Sequence, residues 1–514
     1  MASLVFKHVS FSYDASVDGL LSDVDFGVSE GFTGVIGANG TGKTTILRLA
    51  CRELDPRQGR VHGPQSALYC AQRTDDPPSD FAAFLEAADA EAYRLRGQLG
   101  VEPDWFGRWT TLSHGERKRA QIANALWHGP ELLALDEPTN HLDHEARQRV
   151  TRALRSFRGI GLLVSHDREL LDALCAHCLF VSAELVALRA GGYSVARQTV
   201  LDEDRLLREK RQRAMAEERR LERERNVRRA HQAIGEKAKS LKGVSPRDSD
   251  ARQKAYAARI ADSGAGKRLR QLEGRIAQAK DAQAVGPLLR SAELGIGIPG
   301  ERSTRNTLFR LPGESLPLGE GRSLAFEDLW MLPEERVALT GPNGSGKSTL
   351  VRHLMHRLPL DTDKVVYIPQ EIDASTSAQI LERTRRLSGD HLGRALAWVS
   401  RLGSDPARLL ESRLPSPGEI RKLLLATQIA KVPHLIVLDE PTNHMDLPSI
   451  ECIEDALTDV HCALLLVSHD EVFLDRLTTV RWAIEPTEEN RDAFRLIRRL
   501  RGTSPDVVGD RQST

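Results

Sequence analysis

The sequence predicts an α/β protein built from two tandem phosphate-loop domains joined by a long α-helical hairpin. Three observations predict it. A Gly-x-x-x-x-Gly-Lys-Ser/Thr loop occurs twice, each time after an apolar, β-branched run and before a helical pattern. Two more motifs follow each loop at matching distances, so the chain contains itself twice. Between the copies, residues 202–284 are basic, hold Tyr256 as their one aromatic and carry apolar residues at a period of seven.

From the N-terminus, residues 32–36 read as a buried strand running into Gly37, Ala38, Asn39, Gly40, Thr41, Gly42, Lys43 and Thr44, with Thr45 opening a helix. The same order returns at 336–340, followed by Gly341, Pro342, Asn343, Gly344, Ser345, Gly346, Lys347, Ser348 and Thr349. Leu-Asp-Glu-Pro-Thr-Asn-His stands at 135–141 and again at 438–444, and Ser-His-Asp at 165–167 and again at 468–470. The offsets are 347 − 43 = 304, 440 − 137 = 303 and 469 − 166 = 303. Residues 132–135, 161–164, 435–438 and 463–467 read as further buried strands of a mainly parallel sheet. The expected organisation is a first domain over 1–190, a linker over 191–302, a second domain over 303–485 and a short polar tail over 486–514.

The glycines of such a loop let successive backbone N–H groups face phosphate oxygens at a helix N-terminus. Lys43 and Lys347 add a point charge at the β and γ phosphates, and Thr44 and Ser348 offer a hydroxyl to Mg²⁺. Asp136 and Asp439 end apolar strands, a place suited to carboxylates that hold the Mg²⁺ shell. Glu137 and Glu440 follow directly and could polarise the attacking water. ATP and Mg²⁺ are the cofactors these residues imply.

The remaining motifs narrow the class. Leu112, Ser113, His114, Gly115 and Glu116 precede Glu137, and Pro415, Ser416, Pro417, Gly418 and Glu419 precede Glu440, with serine-to-glutamate spacings of 24 in both (137 − 113 and 440 − 416). These resemble the signature motif of ATP-binding cassette ATPases. The resemblance implies two composite sites in a head-to-tail sandwich. One uses the 37–45 loop, Gln72, Asp136, Glu137 and the switch histidine His166, closed by Ser416 and Gly418. The other uses the 341–349 loop, Gln370, Asp439, Glu440 and His469, closed by Ser113 and Gly115. Gln72 and Gln370 match the family's Q-loop glutamine, which joins the Mg²⁺ shell, and Tyr13, 24 residues before Gly37, matches its adenine-stacking aromatic. His114 and Pro417 replace the usual signature glycine, and Pro415 its leucine. No aromatic stands 24 residues before Gly341, with Phe309 a distant candidate, so the two sites are expected to differ.

The linker sets the branch. Residues 202–284 hold 23 Lys or Arg against 14 Asp or Glu, a charge of +9 (23 − 14), although the whole chain balances 72 against 72. Such a composition cannot bury a core and is expected to be helical and exposed. Val200, Leu207, Ala214 and Leu221 are spaced by seven, as are Val227, Ile234 and Leu241 after a slip of one. Leu269, Leu272, Ile276 and Ala279 supply the returning helix of an antiparallel hairpin, with the turn after residue 242. Tandem cassettes joined by a basic hairpin, each with Glu-Pro-Thr-Asn-His, resemble the ABC-F family. That resemblance implies a ribosome partner, with binding near the tRNA exit site and a linker reaching toward the peptidyl-transferase centre. An Arg-rich rod suits the phosphates of rRNA and tRNA. A solvated spacer or a dimerising coiled coil is the alternative for the linker.

Some housekeeping translation factors of the family insert an arm before the first signature. Here 41 residues separate Gln72 from Ser113 (113 − 72), and 46 separate Gln370 from Ser416 (416 − 370), which leaves no room for one. With a long linker and a short tail, the chain looks more like the antibiotic-resistance branch, which protects ribosomes from drugs. The rivals are a housekeeping elongation regulator, the motor of a drug exporter, and a DNA-repair or chromosome-structuring ATPase. The last usually places its coiled coil inside one cassette.

Composition excludes other classes. No apolar run approaches the ~18–20 residues of a spanning helix, and with no basic head before an apolar run at the N-terminus no secretory signal is expected. Six cysteines are too sparse for a disulfide framework. Cys175 and Cys178 flank His177 at metal-like spacing, but no second pair completes four ligands, so buried thiols in a packed helix are expected. A monomeric cytoplasmic protein with its cassettes paired intramolecularly is the resulting expectation.

Overall fold

The computed structural model describes the chain except residues 1, 14–18, 141, 183–184, 239–270, 283–297, 320, 388, 413–414, 430–431, 444, 488–492 and 501–514. Residues 1–196 with 290–514 form one compact unit holding both cassettes, and residues 197–289 form a second.

In the first cassette, six strands lie in the order Ala67–Cys70, Leu132–Asp136, Ile160–Val164, Gly31–Gly37, Cys175–Val181, Val186–Ala190. The first five are parallel and the last pairs antiparallel at the edge. Leu132–Asp136 and Ile160–Val164 are buried at every position, as strands covered on both faces must be, which is why they read as unbroken apolar runs. In a separate antiparallel sheet, Leu21–Ser29, Ser3–Phe11, Gln58–His62, the first two strands bring Leu4, Phe6, Val24 and Phe26 inward between exposed residues, and the third is largely exposed. Those inward residues share one core with Ile46, Leu47 and the parallel strands.

The second cassette repeats the parallel centre as Val480–Pro486, Arg336–Thr340, Ala463–Val467, Leu435–Asp439, Val365–Ile368. Beyond it stand Ala493–Leu500, Arg322–Phe326 and Glu314–Gly319. Here the sequence reading needs correction. Ala493–Leu500, expected within a polar tail, is a strand antiparallel to Val480–Pro486, and its Phe494 and Leu496 enter the core. The run Ala-Phe-Arg-Leu-Ile-Arg-Arg-Leu alternates well enough to cover one sheet face while its arginines meet Glu485 and Glu335.

Cys175 and Cys178 lie on a strand, not in a helix. A register irregularity opposite Phe32 and Thr33 turns both buried thiols toward Gly34, where an added Cβ would stand 3.4 and 3.5 Å from the sulfurs. The apolar Cys-Leu-Phe-Val continuation of this run fits a buried strand better than an amphipathic helix.

The second unit is built on Tyr193–Ala238, a 46-residue helix about 70 Å long at 1.5 Å per residue, and on a returning helix over 271–281. Leu221, Leu272 and Ile276 form its small core. Arg229–Glu273 (2.7 Å), Arg275–Glu217 (3.2 Å) and Lys280–Glu218 (3.4 Å) tie the helices antiparallel. Val227 is 57% exposed, so the apolar seam does not continue through it. The expected turn after residue 242 lies outside the described residues. Among those described, no helix is long and apolar enough to cross a membrane.

Candidate nucleotide sites

Each phosphate loop sits between the central strand and the helix Lys43–Ala50 or Lys347–Arg357. The residue before each helix is Gly42 (φ 96°) or Gly346 (φ 94°), a left-handed conformation that L side chains resist. Gly37 is needed for a different reason: a Cβ there would stand 2.2 Å from the Val181 carbonyl. Lys43 Nζ donates to the carbonyls of Gly37 and Ala38, both at 2.8 Å. Lys347 Nζ repeats this with Gly341 (2.8 Å) and Pro342 (3.0 Å), so each ammonium lies folded over its own loop. Burial lowers the pKa of both lysines.

A cavity of about 600 Å³ opens over the first loop. Its lining includes Tyr13, Asn39, Gly40, Gly42, Lys43, Thr44, Thr45, Gln72, Asp136, Glu137, Arg147, His166 and Asp167, and from the second cassette Ser416, Gly418, Ile450 and His469. Gly37, Ala38 and Thr41 support the loop from behind, Thr41 Oγ1 donating to Ala38 O at 2.9 Å. Tyr13 is 46% exposed, and its hydroxyl shares a 3.2 Å hydrogen bond with Thr45 Oγ1.

The second cavity, about 440 Å³, is lined by Asn343, Gly344, Gly346, Lys347, Ser348, Thr349, Gln370, Asp439, Glu440 and His469. Ser345 is buried beneath it. Ser113 and Gly115 do not line this cavity, and the first cassette contributes Leu142 and Arg147 instead. Phe309 is no substitute for Tyr13: it is 4% exposed and packs edge-on against Trp482 in the core. Where an aromatic was sought, Leu318 and Arg322 line the wall.

Glu137 and Glu440 both hold positive φ, 48° and 51°, although neither is glycine. Their N–H groups donate to Val164 O (2.9 Å) and Val467 O (2.8 Å), which fixes the turn at the strand end. Backbone strain conserved between two internal copies points to a shared task for that side chain. Burial, then Asp136, pushes the Glu137 carboxyl up to about 8, and burial pushes Glu440 up to about 7. His166 Nε2 stands 3.1 Å from Glu137 Oε1, and His469 Nε2 3.5 Å from Glu440 Oε1 and 3.2 Å from Asn343 Oδ1. Burial pushes His469 down to about 3, leaving the imidazole neutral.

The donor sets suit a hard divalent cation. Thr44 Oγ1 donates to Asp136 Oδ2 at 2.8 Å, and Ser348 Oγ donates to Gln370 Oε1 at 3.1 Å. Asp439 is 1% exposed, and neither carboxylate oxygen has a hydrogen-bond partner of ordinary geometry among the described residues. Buried anionic oxygens without donors are costly unless a cation meets them.

The signature serines cap helices. Ser113 accepts from Glu116 N (3.3 Å) while Glu116 accepts from Ser113 N (2.8 Å), and Ser416 with Glu419 repeats both distances. Pro417 occupies the first helical position, where a missing N–H costs nothing.

Sequence reasoning missed several residues. Tyr69 donates to Asp136 Oδ2 at 3.1 Å. Lys118 Nζ, 3% exposed, bridges Ala71 O (2.7 Å) beside the Q-loop glutamine and Asp136 O (3.0 Å). Arg421 makes the corresponding bridge from Gln370 O to Glu440 O (2.9 Å). A cation five residues after each signature serine was a readable signal for this pair.

The paired phosphate loops, strand-end Asp-Glu motifs and capped signature helices define an ATP-binding cassette ATPase with two cassettes in one chain. The family model described as ABC transporter matches residues 21–140 and 328–443. The chain is 30% identical to the ATP-binding protein Uup of Caulobacter vibrioides over 88% of its length and 72% of Uup. It is 27% identical to the Ribosome protection protein VmlR of Bacillus subtilis, covering 97% of this chain and 92% of that one. It is 31% identical to the Tylosin resistance ATP-binding protein TlrC of Streptomyces fradiae, covering 91% and 95%. Among solved structures, the archaeal ribosome recycling factor aABCE1, in complex with the stalk protein aP1, shares the fold at TM-score 0.61 and 19% identity, over 95% of this chain and 89% of that one. The chain belongs to the ABC-F family of ATP-binding cassette proteins, and its reaction is hydrolysis of ATP to ADP and phosphate.

Proposed function

We propose that this ATPase works on the ribosome, binding near the tRNA exit site, and protects translation from antibiotics that occupy the peptidyl-transferase centre or exit tunnel. The observation that carries the reading is the joining of two complete cassettes by a long Arg-rich helical hairpin. The likeness to a ribosome protection protein and to a tylosin resistance protein over most of both chains supports it. So does the short, armless segment between Gln72 and Ser113, filled by the helices Phe81–Glu86 and Ala90–Leu99 and a 3-10 turn, Trp109–Thr111.

In this reading the first cassette covers 1–190, the linker 191–302 and the second cassette 303–500, with a short tail following, and the protein acts as a cytoplasmic monomer. Glu137 and Glu440 polarise water, His166 and His469 hold the γ-phosphate end, and the two loops with Tyr13 bind nucleotide. Thr44, Gln72 and Asp136, and Ser348, Gln370 and Asp439, hold Mg²⁺, which supplies charge neutralisation at the phosphates. Ser416 and Gly418 close the first site, and Ser113 and Gly115, which stand outside the second cavity, close the second once ATP draws the cassettes together. The linker's bases meet rRNA and tRNA phosphates.

The test is translation in a purified system with and without such a drug. Intact protein restores synthesis, whereas a variant with 243–266 shortened to a tight turn hydrolyses ATP but restores nothing. Full rescue by the shortened variant refutes the linker mechanism. No rescue by intact protein with any such drug favours a housekeeping translation factor.

A further inference from the structure

Two arginines of the first cassette reach the second switch loop. Arg147, on the first cassette's helix His144–Leu154, donates from Nε to its own Leu142 O (3.1 Å) and from Nη1 across the interface to His469 O (3.0 Å). The same Nη1 stands 3.8 Å from Asp167, beside the first cassette's own His166. One position beyond Asp167, Arg168 also crosses. It donates to Glu454, whose side chain is wholly buried, and stands 3.7 Å from Asp470. The second switch loop, His469 and Asp470, is thus held by two cations from the first cassette.

The repeat does not return the arrangement. The counterpart of Arg147 is Ile450 (147 + 303), which can donate nothing. The counterpart of Arg168 is Glu471 (168 + 303), an acid paired with Arg481 inside its own cassette. The counterpart of Glu454 is Thr151 (454 − 303). Both arginines that cross the interface come from the first cassette, and Glu454 has no acidic counterpart there.

We propose that Arg147 is a positioning residue acting across the cassette interface: it fixes the switch loop of the second ATP site and sets that site's turnover, whereas the repeat places Ile450, which cannot donate, at the corresponding position for the first site. The argument rests on reading the glutamates and histidines as the hydrolytic groups. Geometry gives the cause. Leu142 O holds the guanidinium stem, so its bond to His469 O fixes where the imidazole of the same residue points, 3.2 Å from Asn343 Oδ1 and 3.5 Å from Glu440 Oε1. Ile450 at the other site fills space but orients no carbonyl.

The test separates the sites by blocking one at a time in the full chain. With Glu137→Gln, only the second site turns over, and with Glu440→Gln, only the first. Arg147→Ile should lower kcat about tenfold in the first background with KM changed less than about twofold, since displacing a reacting group by an ångström costs orders of magnitude in rate and little in binding. In the second background kcat should fall by no more than about twofold. Arg147→Lys, which can still donate to His469 O, should recover at least half of the lost rate, and it carries the test if Arg147→Ile does not fold. An equal fall in both backgrounds, or none in the first, overturns the proposal. The double glutamine variant distinguishes a failed premise: hydrolysis there means the glutamates were misassigned. Vanadate trapping of a photoreactive ATP analogue, mapped by proteolysis, then reads each site with the glutamates intact. Loss of label confined to the second site in Arg147→Ile sustains the proposal, and equal labelling of both sites overturns it.

Discussion

Glu454 offers the sharpest energetic test of the interface. Its carboxylate is wholly buried and accepts from Arg168 through both terminal nitrogens and from Arg476 Nη1 at 3.0 Å. Replacing it with alanine leaves Arg168, whose side chain is 9% exposed, with Asp470 at 3.7 Å as its one acidic partner among the described residues, while Arg476 is 43% exposed and keeps Asp455. Removing one partner of a buried pair costs about 3–5 kcal/mol, and the residual Asp470 contact places Glu454→Ala near the lower end, about 3 kcal/mol. Arg168→Met should cost less, about 1–2 kcal/mol, because Arg476 still neutralises Glu454. In the double variant Arg168→Met with Glu454→Ala neither charge of the pair is left stranded, so the combined loss should fall short of the sum of the two single losses by about 1–2 kcal/mol. Hydrogen exchange of the full chain, followed in Arg168–Leu174 and Leu447–Thr458, reports the opening free energy of the two helices that carry the pair. Additive losses within about 0.5 kcal/mol would show that the pair is not coupled and refute the reasoning.

Further expectations concern the nucleotide sites. Glu137→Gln with Glu440→Gln should keep ATP bound and uncleaved, and steady-state hydrolysis near the unmodified rate would sink the assignment. Tyr13→Ala should weaken nucleotide binding about fivefold at one site, the loss of about 1 kcal/mol of aromatic stacking, because the second cavity offers Leu318 and Arg322 instead. Equal weakening of both sites in a two-site titration counts against it. Gly37→Ala places a Cβ 2.2 Å from the Val181 carbonyl, a backbone atom that cannot rotate away. It should abolish binding at the first site while the second still binds, and a normal two-site isotherm refutes the steric argument.

What the sequence could and could not reveal follows from the range of the forces involved. The phosphate loops, the strand-end acids and the signature helices were legible because each is built within a few consecutive residues: glycines with φ near 95°, an Asp-Glu ending an apolar strand, a serine capping its own helix. Repetition at one offset then made chance untenable. The strand Ala493–Leu500 was missed because its arginines made it read as tail, although alternate apolar residues were there to be counted. Arg147 could not be found that way at all. Its meaning depends on His469 O, 322 residues away in sequence. Comparing the copies does expose the substitution of Ile450 for Arg147, but says nothing of where either points. Internal repetition reveals what both halves must share to bind and cleave ATP. It is the positions where the halves disagree, Tyr13 against Leu318 and Arg322, Arg147 against Ile450, Arg168 against Glu471, that can make two similar sites do different work within one chain.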